Sequence, residues 1–365
     1  MIRTNSKTRL FLCLLVSLIL VSGCVEEEVI DEINIVTGLG YDLTENGKIK
    51  GTALYPSYKP EGTVENVTIS ATNDIARKVI IEMQRKSPNP LVFGSLEIVI
   101  FSKDFSKEKG VFRIVDSLQR DPSVGARLFL VVSDGSAGEI LSEQLGGEGT
   151  GEYLSSLIRH NIETRDLPQT NLHLFAYLYH QQGRDPYLPM LKRIGEKDIA
   201  ISGVAVFKGD KIIYEVPEDK MLFFKLLVDR YSQGSLSGRD KDEKQESTLK
   251  IVDSHTKYII EKNNERVNKI RIQIKIEAIV QEYTGKRLTG KEIEQIETDF
   301  SNDIKEGCEE LLRTFQELKV DPVGIGAEVR HDIYKFDQEE WEARYPNLEI
   351  TVEPDVTISE SGVVE

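Results

Sequence analysis

The sequence predicts an α+β fold with several domains, built mainly from antiparallel sheets with helices packed on one face. Three observations lead to this class. Isoleucines alternate with polar residues through Val267–Tyr283, which is the period of a strand with one buried face. Asn46-Gly47 between two apolar runs is typical of a β-hairpin turn. Apolar residues at helical spacing follow Thr289 for about eight turns.

The composition is that of a globular protein. The 365 residues are 39% hydrophobic and 29% charged, with 46 Lys+Arg against 61 Asp+Glu and a formal charge of −15. This length allows about two or three domains, each large enough to bury a core. The acidic excess argues against nucleic acid as a partner, because phosphate is bound through Lys and Arg. Three cysteines are too few for a fold held together by disulfides.

Residues 1–23 are predicted to be a lipoprotein signal peptide. A basic start is followed by an almost unbroken apolar run from Leu10 to Val21, shorter than the roughly 20 residues of a transmembrane helix. The run ends in Val21-Ser22-Gly23-Cys24, and small residues before a cysteine resemble a lipobox. The resemblance implies that Cys24 becomes the mature N-terminus, as an N-palmitoyl, S-diacylglycerol cysteine. An ordinary signal peptide with a coincidental cysteine and a short anchor helix are the alternatives.

Cleavage before Cys24 leaves an acidic body that needs its lipid. It removes three basic residues and no acidic one, which leaves 43 basic against 61 acidic residues and a charge of −18. An anionic bilayer repels such a body, so acyl chains have to supply the attachment. Each buried CH₂ contributes about 0.8 kcal/mol, and two chains hold stably where one is marginal. Cys13 leaves with the signal peptide, so Cys308 is the thiol that remains and no internal disulfide is expected.

Residues 24–196 are predicted to form an N-terminal α+β domain that is open to subdivision. After an acidic tether at 25–32, the strands Ile33–Leu43 and Lys48–Tyr58 pair through the Asn46-Gly47 turn. Gly146–Gly151 is expected to be a mobile loop. Apolar spacing predicts the other elements: a helix at Thr72–Arg85, a strand at Ser95–Phe101, a helix at Gly110–Arg120, a strand at Arg127–Ser133, and helices at Ala137–Gln144, Tyr153–Glu163 and Leu172–His180.

Residues 197–365 are predicted to form a C-terminal α+β domain with an antiparallel sheet and a long helix at 290–319. Thr289 and Glu292 form a capping box at the start of this helix, and Pro322 is expected to end it. The other elements are strands at Ile199–Phe207 and Lys211–Val216 around the Lys208-Gly209-Asp210 turn, a helix at Glu218–Tyr231, a polar loop at Ser232–Glu246, paired strands at Leu249–Glu261 and Val267–Tyr283, a helix at Gly326–Arg344 and a strand at Asn347–Ile358.

The residues do not predict catalysis, a metal site or a cofactor site. His173 and His180 are seven residues apart on one predicted helix and could face the same way. A zinc site needs three or four ligands, so we interpret the two histidines as part of a polar helix face rather than as a metal site. Gly146–Gly151 lacks the lysine of a phosphate-binding loop. Cys308 falls in the apolar stripe of the long helix, which indicates a buried structural thiol. The chain is therefore predicted not to be an enzyme.

Several short motifs, in order along nearly the whole chain, resemble the Ger(x)C lipoproteins, which are the C subunits of nutrient germinant receptors in endospore-forming bacteria. Ser95 departs from the pattern, since the family has a histidine at this place in its Phe-Gly-His run. The motifs are Gly23-Cys24, Ile35–Asp42, Phe93–Ile100, Arg120–Pro122, Tyr187–Pro189, Ile201–Lys211, Asp321–Gly326, Trp341 and Tyr345-Pro346.

The resemblance implies a non-catalytic subunit without a cofactor. It implies a lipid-anchored body on the outer face of the spore inner membrane, beside two integral membrane subunits termed A and B. The B subunit looks like an amino-acid transporter, which points to B rather than to this chain as the seat of nutrient binding. The family is also described as multi-domain and α+β, in agreement with the elements predicted above.

Two other functions remain open at this stage. An extracytoplasmic solute-binding lipoprotein would close its two domains on a ligand. A surface hydrolase would need a nucleophile and a base that converge in space, and the sequence does not indicate such a pair. The sequence does not specify the germinant, the face that meets the partner subunits or the stoichiometry.

Overall fold

The structure, a computed structural model, describes residues 32–59, 61–125, 127–195, 198–239, 246–263, 266–285, 287–333 and 336–361. The strands in these residues are β1 (Asn34–Ile35), β2 (Gly38–Leu43), β3 (Ile49–Tyr58), β4 (Val64–Asn73), β5 (Leu91–Val92), β6 (Ile98–Ser102), β7 (Phe129–Ser133), β8 (Tyr187–Arg193), β9 (Ile199–Lys208), β10 (Lys211–Pro217), β11 (Gly234–Arg239), β12 (Glu246–Asn263), β13 (Arg266–Tyr283) and β14 (Glu349–Ser361). The α-helices are α1 (Ala76–Lys86), α2 (Lys103–Glu108), α3 (Phe112–Gln119), α4 (Ala137–Ser142), α5 (Thr150–Thr164), α6 (Leu172–His180), α7 (Met221–Val228), α8 (Gly290–Leu318), α9 (Ile325–Asp332) and α10 (Gln338–Arg344).

The largest sheet has eight strands in the order β10-β9-β8-β7-β6-β2-β3-β4. Its central strands β2, β6, β7 and β8 run parallel, whereas β3–β4 and β9–β10 are antiparallel pairs at its two ends. A parallel pair needs a crossover connection, and α2 with α3, then α4 to α6, supply the crossovers from β6 to β7 and from β7 to β8. The predicted α+β class is confirmed, with a sheet that is mixed rather than antiparallel throughout.

Both faces of this sheet are buried. Ile98 and Ile100 of β6 join a core with α4, α5 and α7, while Val99 and Phe101 join a second core with α1, α2, α3 and α6. Helices thus cover both faces, not one, because parallel strands with crossover helices are apolar on both sides. The first core continues through α7 into α8 and the four-stranded sheet, so the two halves of the chain share it.

The first hairpin forms as predicted. The Asn46-Gly47 turn joins β2 to β3, and Gly47 has a φ of 70°. β3 then pairs with β4, an edge strand that the sequence analysis missed. The helix predicted from Thr72 begins only at Ala76, because the residues up to Asn73 complete β4.

Gly146–Gly151, expected to be a mobile loop, is packed at its end. Gly149 has a φ of 101°, and Thr150, fully buried, begins α5. The Thr150 hydroxyl donates to the Glu143 carbonyl at 2.5 Å and accepts from the Leu145 amide at 3.0 Å. The expectation was wrong here because the glycines permit a tight turn whose last residues enter the core.

β11, β12, β13 and β14 form a second sheet in that order. β12 and β13 pair antiparallel as predicted, and the alternating residues Ile270, Ile272 and Ile274 are buried. β11 lies in Ser232–Glu246, which was predicted to be a loop, and residues 240–245 of that segment lie outside the described residues. β14 runs parallel to β13, since α8 to α10 form the long crossover between them.

α8 begins where the sequence predicted. The Thr289 side chain caps it, and the Glu292 carboxylate accepts from the Thr289 amide at 3.1 Å, which completes the capping box. The helix ends at Leu318, before Pro322, because Lys319 adopts the left-handed region at a φ of 55°.

The single helix predicted at Gly326–Arg344 is two helices. α9 ends at Asp332, and α10 begins at Gln338, where the Asp337 side chain accepts from the Glu340 amide at 3.0 Å. Residues 334–335 between them lie outside the described residues. With two helices in place of one, Trp341 of α10 lies against Gly326 of α9.

The predicted domain boundary between residues 196 and 197 lies between β8 and β9 in the chain. β9 and β10 hydrogen-bond into the eight-stranded sheet beside β8, so that sheet extends across this position. The Lys208-Gly209-Asp210 turn joins β9 and β10 as predicted. The division into two domains at this position stays a prediction. In the fold, backbone hydrogen bonds between β8 and β9 connect the residues on its two sides.

Candidate functional site

Cys24, the predicted lipidation site, lies outside the described residues together with the predicted signal peptide, residues 1–23. Its acylation therefore stays a prediction. In the part of the chain that the structure describes, no helix is both long and apolar enough to cross a membrane.

The Gly38–Asp42 motif anchors a helix. A Cβ on Gly38 would approach Leu141 of α4 to 2.8 Å, so glycine lets the strand and the helix approach closely. The Asp42 carboxylate is buried and accepts from the Ala137 amide at 2.7 Å and the Gly138 amide at 2.9 Å. These contacts satisfy the N-terminal amides of α4, which gives the motif a structural role.

A second set of motif residues meets where the two halves of the chain touch. The Asp321 amide donates to the Asp185 carboxylate at 2.8 Å, and the Asp185 amide donates to the Asp321 carbonyl at 2.9 Å. The Lys208 ammonium lies 3.3 Å from the same Asp185 carboxylate. Asp321 belongs to the closing motif, whereas Asp185 directly precedes Pro186 and was not singled out from the sequence. We call residues 183–185 and 321–327 the junction.

Asp321 organises its own turn. Its carboxylate accepts from the amides of Gly324, Ile325 and Gly326 at 2.7 to 3.0 Å. The side chain is 5% exposed, and this burial raises the pKa of Asp321 to about 6 despite the three amide donors. The turn places Gly324 at a φ of 83° and starts α9.

Glycines allow the junction to close. Gly183 has a φ of 77°, and a Cβ on it would lie 2.4 Å from the backbone of Gly326. A Cβ on Gly326 would lie 2.4 Å from the indole nitrogen of Trp341. The Ala327 amide donates to the Gly183 carbonyl at 2.9 Å. The glycines of the Gly324-Ile325-Gly326 motif are thus needed because the backbones of Gly183 and Gly326 are in close contact. Trp341 of the closing motif packs against Gly326 at this contact.

A cavity of about 290 Å³ opens at the junction. Part of the lining comes from residues 179–185, at the end of α6 and just after it, and from the β9–β10 turn. Another part comes from Asp321, Trp341 and Tyr345 with the start of α10. Residues from the middle of the chain and from its C-terminal part therefore surround one space. We call it the junction cavity.

His173 and His180 line a neighbouring cavity of about 660 Å³ together with His331 of α9. The two histidines of α6 thus border the same space, as their spacing allowed, and the third comes from the other half of the chain. Among the described residues, no group of three or more His, Cys, Asp or Glu side chains is placed to hold a metal ion.

Cys308 is fully buried in α8, as its place in the apolar stripe predicted. Its thiol donates to the Phe223 carbonyl at 3.6 Å. Burial raises the pKa of the Cys308 thiol well above its usual value. A thiol in this environment stays protonated and packs as a small apolar group.

Two family models match most of the chain. The model for the spore germination protein N-terminal domain matches residues 26–193, and the model for the spore germination B3/GerAC-like C-terminal domain matches residues 202–362. Spore germination protein GerQC of Bacillus cereus is 32% identical over 360 residues, covering 98% of this chain and 99% of that protein. Spore germination protein KC of Bacillus subtilis is 18% identical, covering 98% and 96%.

The fold agrees with these matches. The crystal structure of the GerBC protein superposes with a TM-score of 0.60 at 16% identity, covering 88% of this chain and 97% of that one. The α+β scaffold, with its eight-stranded and four-stranded sheets, is thus a fold of spore germination proteins. The chain belongs to the Ger(x)C family, the C subunits of spore germinant receptors. The resemblance seen in the sequence motifs is confirmed.

Proposed function

We propose that this chain is the lipid-anchored, non-catalytic C subunit of a nutrient germinant receptor, and that it works with the A and B membrane subunits on the outer face of the spore inner membrane. The observation that carries the proposal is the relationship to GerQC, which extends over 98% of this chain. The Val21–Cys24 lipobox supplies the anchor in this proposal.

The charge of the body explains why the anchor matters. The chain after Gly23 carries a charge of −18, so an anionic membrane surface repels it. Acyl chains on Cys24 overcome this repulsion and confine the body to the membrane plane, which raises its effective concentration near A and B. The acidic residues 25–32 then separate the folded body from the bilayer.

A non-catalytic role fits the chemistry of the buried reactive groups. The Cys308 thiol is packed in the core with a raised pKa. The Asp185 and Asp321 carboxylates accept hydrogen bonds from amides of their own junction. These groups hold the two halves in one arrangement, and the subunit acts by presenting surfaces to its partners.

The anchor is tested by Cys24→Ala in the full chain, with Cys13→Ala as the matched control in the same leader. We expect Cys24→Ala to leave the membrane fraction and to weaken the response of spores to nutrients. Cys13→Ala should behave as wild type, because Cys13 is removed with the signal peptide. A Cys24→Ala protein that stays membrane-bound in spores that respond normally would contradict the anchor.

The partnership is tested separately. Purification of the lipidated chain from spore membranes should bring the A and B subunits with it, as identified by mass spectrometry. Recovery of the chain without A and B, under conditions that keep A and B associated with each other, would contradict the proposed assembly and leave the anchor intact.

A further inference from the structure

The cavity of about 660 Å³ beside α6 and α9 has a basic lining. Its basic residues are His173 and His180 of α6 with Arg330 and His331 of α9. None of the described residues that line this cavity is Asp or Glu. In a chain with 61 Asp+Glu against 46 Lys+Arg, such a lining is the opposite of the overall charge. We call these four residues and the space that they border the histidine cleft.

The junction holds the two helices of the histidine cleft together. The Ala327 amide donates to the Gly183 carbonyl at 2.9 Å, and this bond connects α9 to the segment that follows α6. Arg330 and His331 lie three and four residues after Ala327, so they are one turn further along the same face of α9. His180 lies three residues before Gly183. A backbone contact therefore fixes the basic groups of α6 relative to those of α9.

The acidic residues of the same helices are paired with other cations. Glu328 of α9 lies 3.4 Å from Arg230, and Asp332 of α9 pairs with Lys262. α6 contains no acidic residue. Neither helix therefore supplies a free carboxylate to neutralise the basic groups of the cleft.

The elements next to these helices give the same result. Gln119, at the end of α3, also borders the cleft, and the acidic residue of that helix, Asp116, lies 3.0 Å from Arg120. His180 borders the junction cavity as well, where the three carboxylates of the lining accept hydrogen bonds from backbone or side-chain amides. These carboxylates have partners of their own, which leaves the cleft basic.

The chemistry of the lining favours an anion over a cation. Among the described residues, no group of three or more His, Cys, Asp or Glu side chains is placed to hold a metal ion, so the three histidines do not converge as metal ligands. A guanidinium offers N–H donors and no acceptor. Arginine binds carboxylate and phosphate groups through two parallel N–H bonds, and protonated imidazoles add charge-assisted donors. An oxyanion matches this set of groups.

We propose that the histidine cleft binds a small molecule with two or more carboxylate or phosphate groups, held by Arg330 and the three histidines. More than one anionic group is needed because the basic side chains come from two helices. The volume of about 660 Å³ falls within the range of about 300–1,000 Å³ found for small-molecule sites. Tyr177, 58% exposed, lines the same cleft and offers a ring surface to the apolar part of the ligand. This site is independent of the lipid anchor and of the A and B subunits.

The test is isothermal titration calorimetry of the purified full-length lipidated chain in an uncharged detergent. The buffer contains no carboxylate or phosphate and is held at about pH 6, where an imidazole can carry a proton. The probes are citrate, with several carboxylates, and inorganic pyrophosphate. The controls are acetate, with a single carboxylate, and glucose, which is uncharged. We expect citrate or pyrophosphate to bind at least tenfold more tightly than acetate, and glucose not to bind.

Matched variants locate the bound anion. Arg330→Gln should weaken the binding of citrate or pyrophosphate at least tenfold, whereas Arg313→Gln removes an equal charge from an exposed position on α8 and should leave binding unchanged. His331→Gln should also weaken binding, and His160→Gln, at an exposed position on α5 outside the cleft, should not. All four side chains are exposed, so the unliganded variants should keep the thermal midpoint of wild type.

The outcomes separate the ligand class from the site. Failure of both citrate and pyrophosphate to bind overturns the proposal. Acetate or glucose binding as tightly as these probes overturns the requirement for several anionic groups. Equal affinities of the Arg330→Gln and Arg313→Gln proteins show a general effect of charge and overturn the site. Binding of citrate alone or of pyrophosphate alone supports the proposal and assigns the anionic groups to carboxylate or to phosphate.

Discussion

Asp185 and Asp321 are 136 residues apart in sequence and bond to each other twice, at 2.8 Å through the Asp185 carboxylate and at 2.9 Å through the Asp321 carbonyl. Each residue is both a donor and an acceptor in the pair, so neither half of the junction can move without breaking both bonds. A reciprocal pair of this kind fixes the register between residues 183–185 and the turn that begins α9.

Removing the Asp185 carboxylate should destabilise the fold. We expect Asp185→Ala to lower the free energy of unfolding by about 1–3 kcal/mol, because the buried Asp321 amide loses its acceptor. Asp185→Asn should cost less, since its amide oxygen can still accept. Asp116→Ala, which breaks only an exposed pair with Arg120, should change the value by less than about 1 kcal/mol. Urea unfolding followed by circular dichroism gives the three values, and equal losses at both sites would refute the role of the junction.

Asp229 gives stability a pH dependence of known sign. Burial raises its pKa from 3.8 to about 6, although the Gln169 amide, Lys225 and Arg184 act in the opposite direction. An acid whose folded pKa is raised favours the folded state below its unfolded pKa and loses that contribution as the pH rises through the folded value.

Wild type should therefore lose stability relative to Asp229→Asn between about pH 4 and pH 7, by up to about 3 kcal/mol. The measurement is the unfolding free energy of both proteins in urea across this range. Subtracting one unfolding free energy from the other cancels the contributions of the titratable groups that the two proteins share. A difference that stays constant, or that moves in favour of wild type as the pH rises, would show that the Asp229 pKa is not raised.

Gly183 should tolerate no side chain. A Cβ there would lie 2.4 Å from the Gly326 backbone, at a φ of 77°. We expect Gly183→Ala to cost more than about 2 kcal/mol, since backbone contact adds to the strain of the left-handed region. Gly209→Ala is the matched control: its φ is 60°, but its Cβ would meet nothing within 4 Å, so only the strain of about 1–2 kcal/mol remains. Thermal unfolding separates the two, and equal midpoints would argue against close contact.

Cys308 should be unreactive in the folded protein. It is fully buried with a raised pKa, so its thiolate is scarce and inaccessible. Iodoacetamide should leave the native mature chain unmodified and add one group in urea, as read from the intact mass. Rapid labelling of Cys308 under native conditions would contradict its burial. Labelling at residue 24 would instead contradict acylation there.

Local chemistry could be predicted from the sequence. The Asn46-Gly47 hairpin, the period of two in β13 and the Thr289–Glu292 capping box each depend on residues within a few positions of one another. β4 and β11 were missed because they are edge strands, each paired on one side with a neighbouring strand and rich in polar residues. Their strand character comes from the partner rather than from their own pattern.

The candidate site could be predicted only in fragments. Asp321–Gly326, Trp341 and Tyr345 were singled out as motifs, but Asp185, Gln181 and Gln338 carried no signal. A single glutamine becomes notable only when its side-chain oxygen is seen to be buried and without a partner among the described residues.

By itself the sequence determined the α+β class, most of the helices and strands and the family, and it predicts a lipobox at Cys24. The tertiary structure alone decided that β9 and β10 extend the N-terminal sheet, that β14 lies parallel to β13, and that Asp185 meets Asp321. The reason is physical: turns, caps and periodicity are set by neighbours along the chain, whereas pairing across 136 residues is set by which surfaces can be buried together.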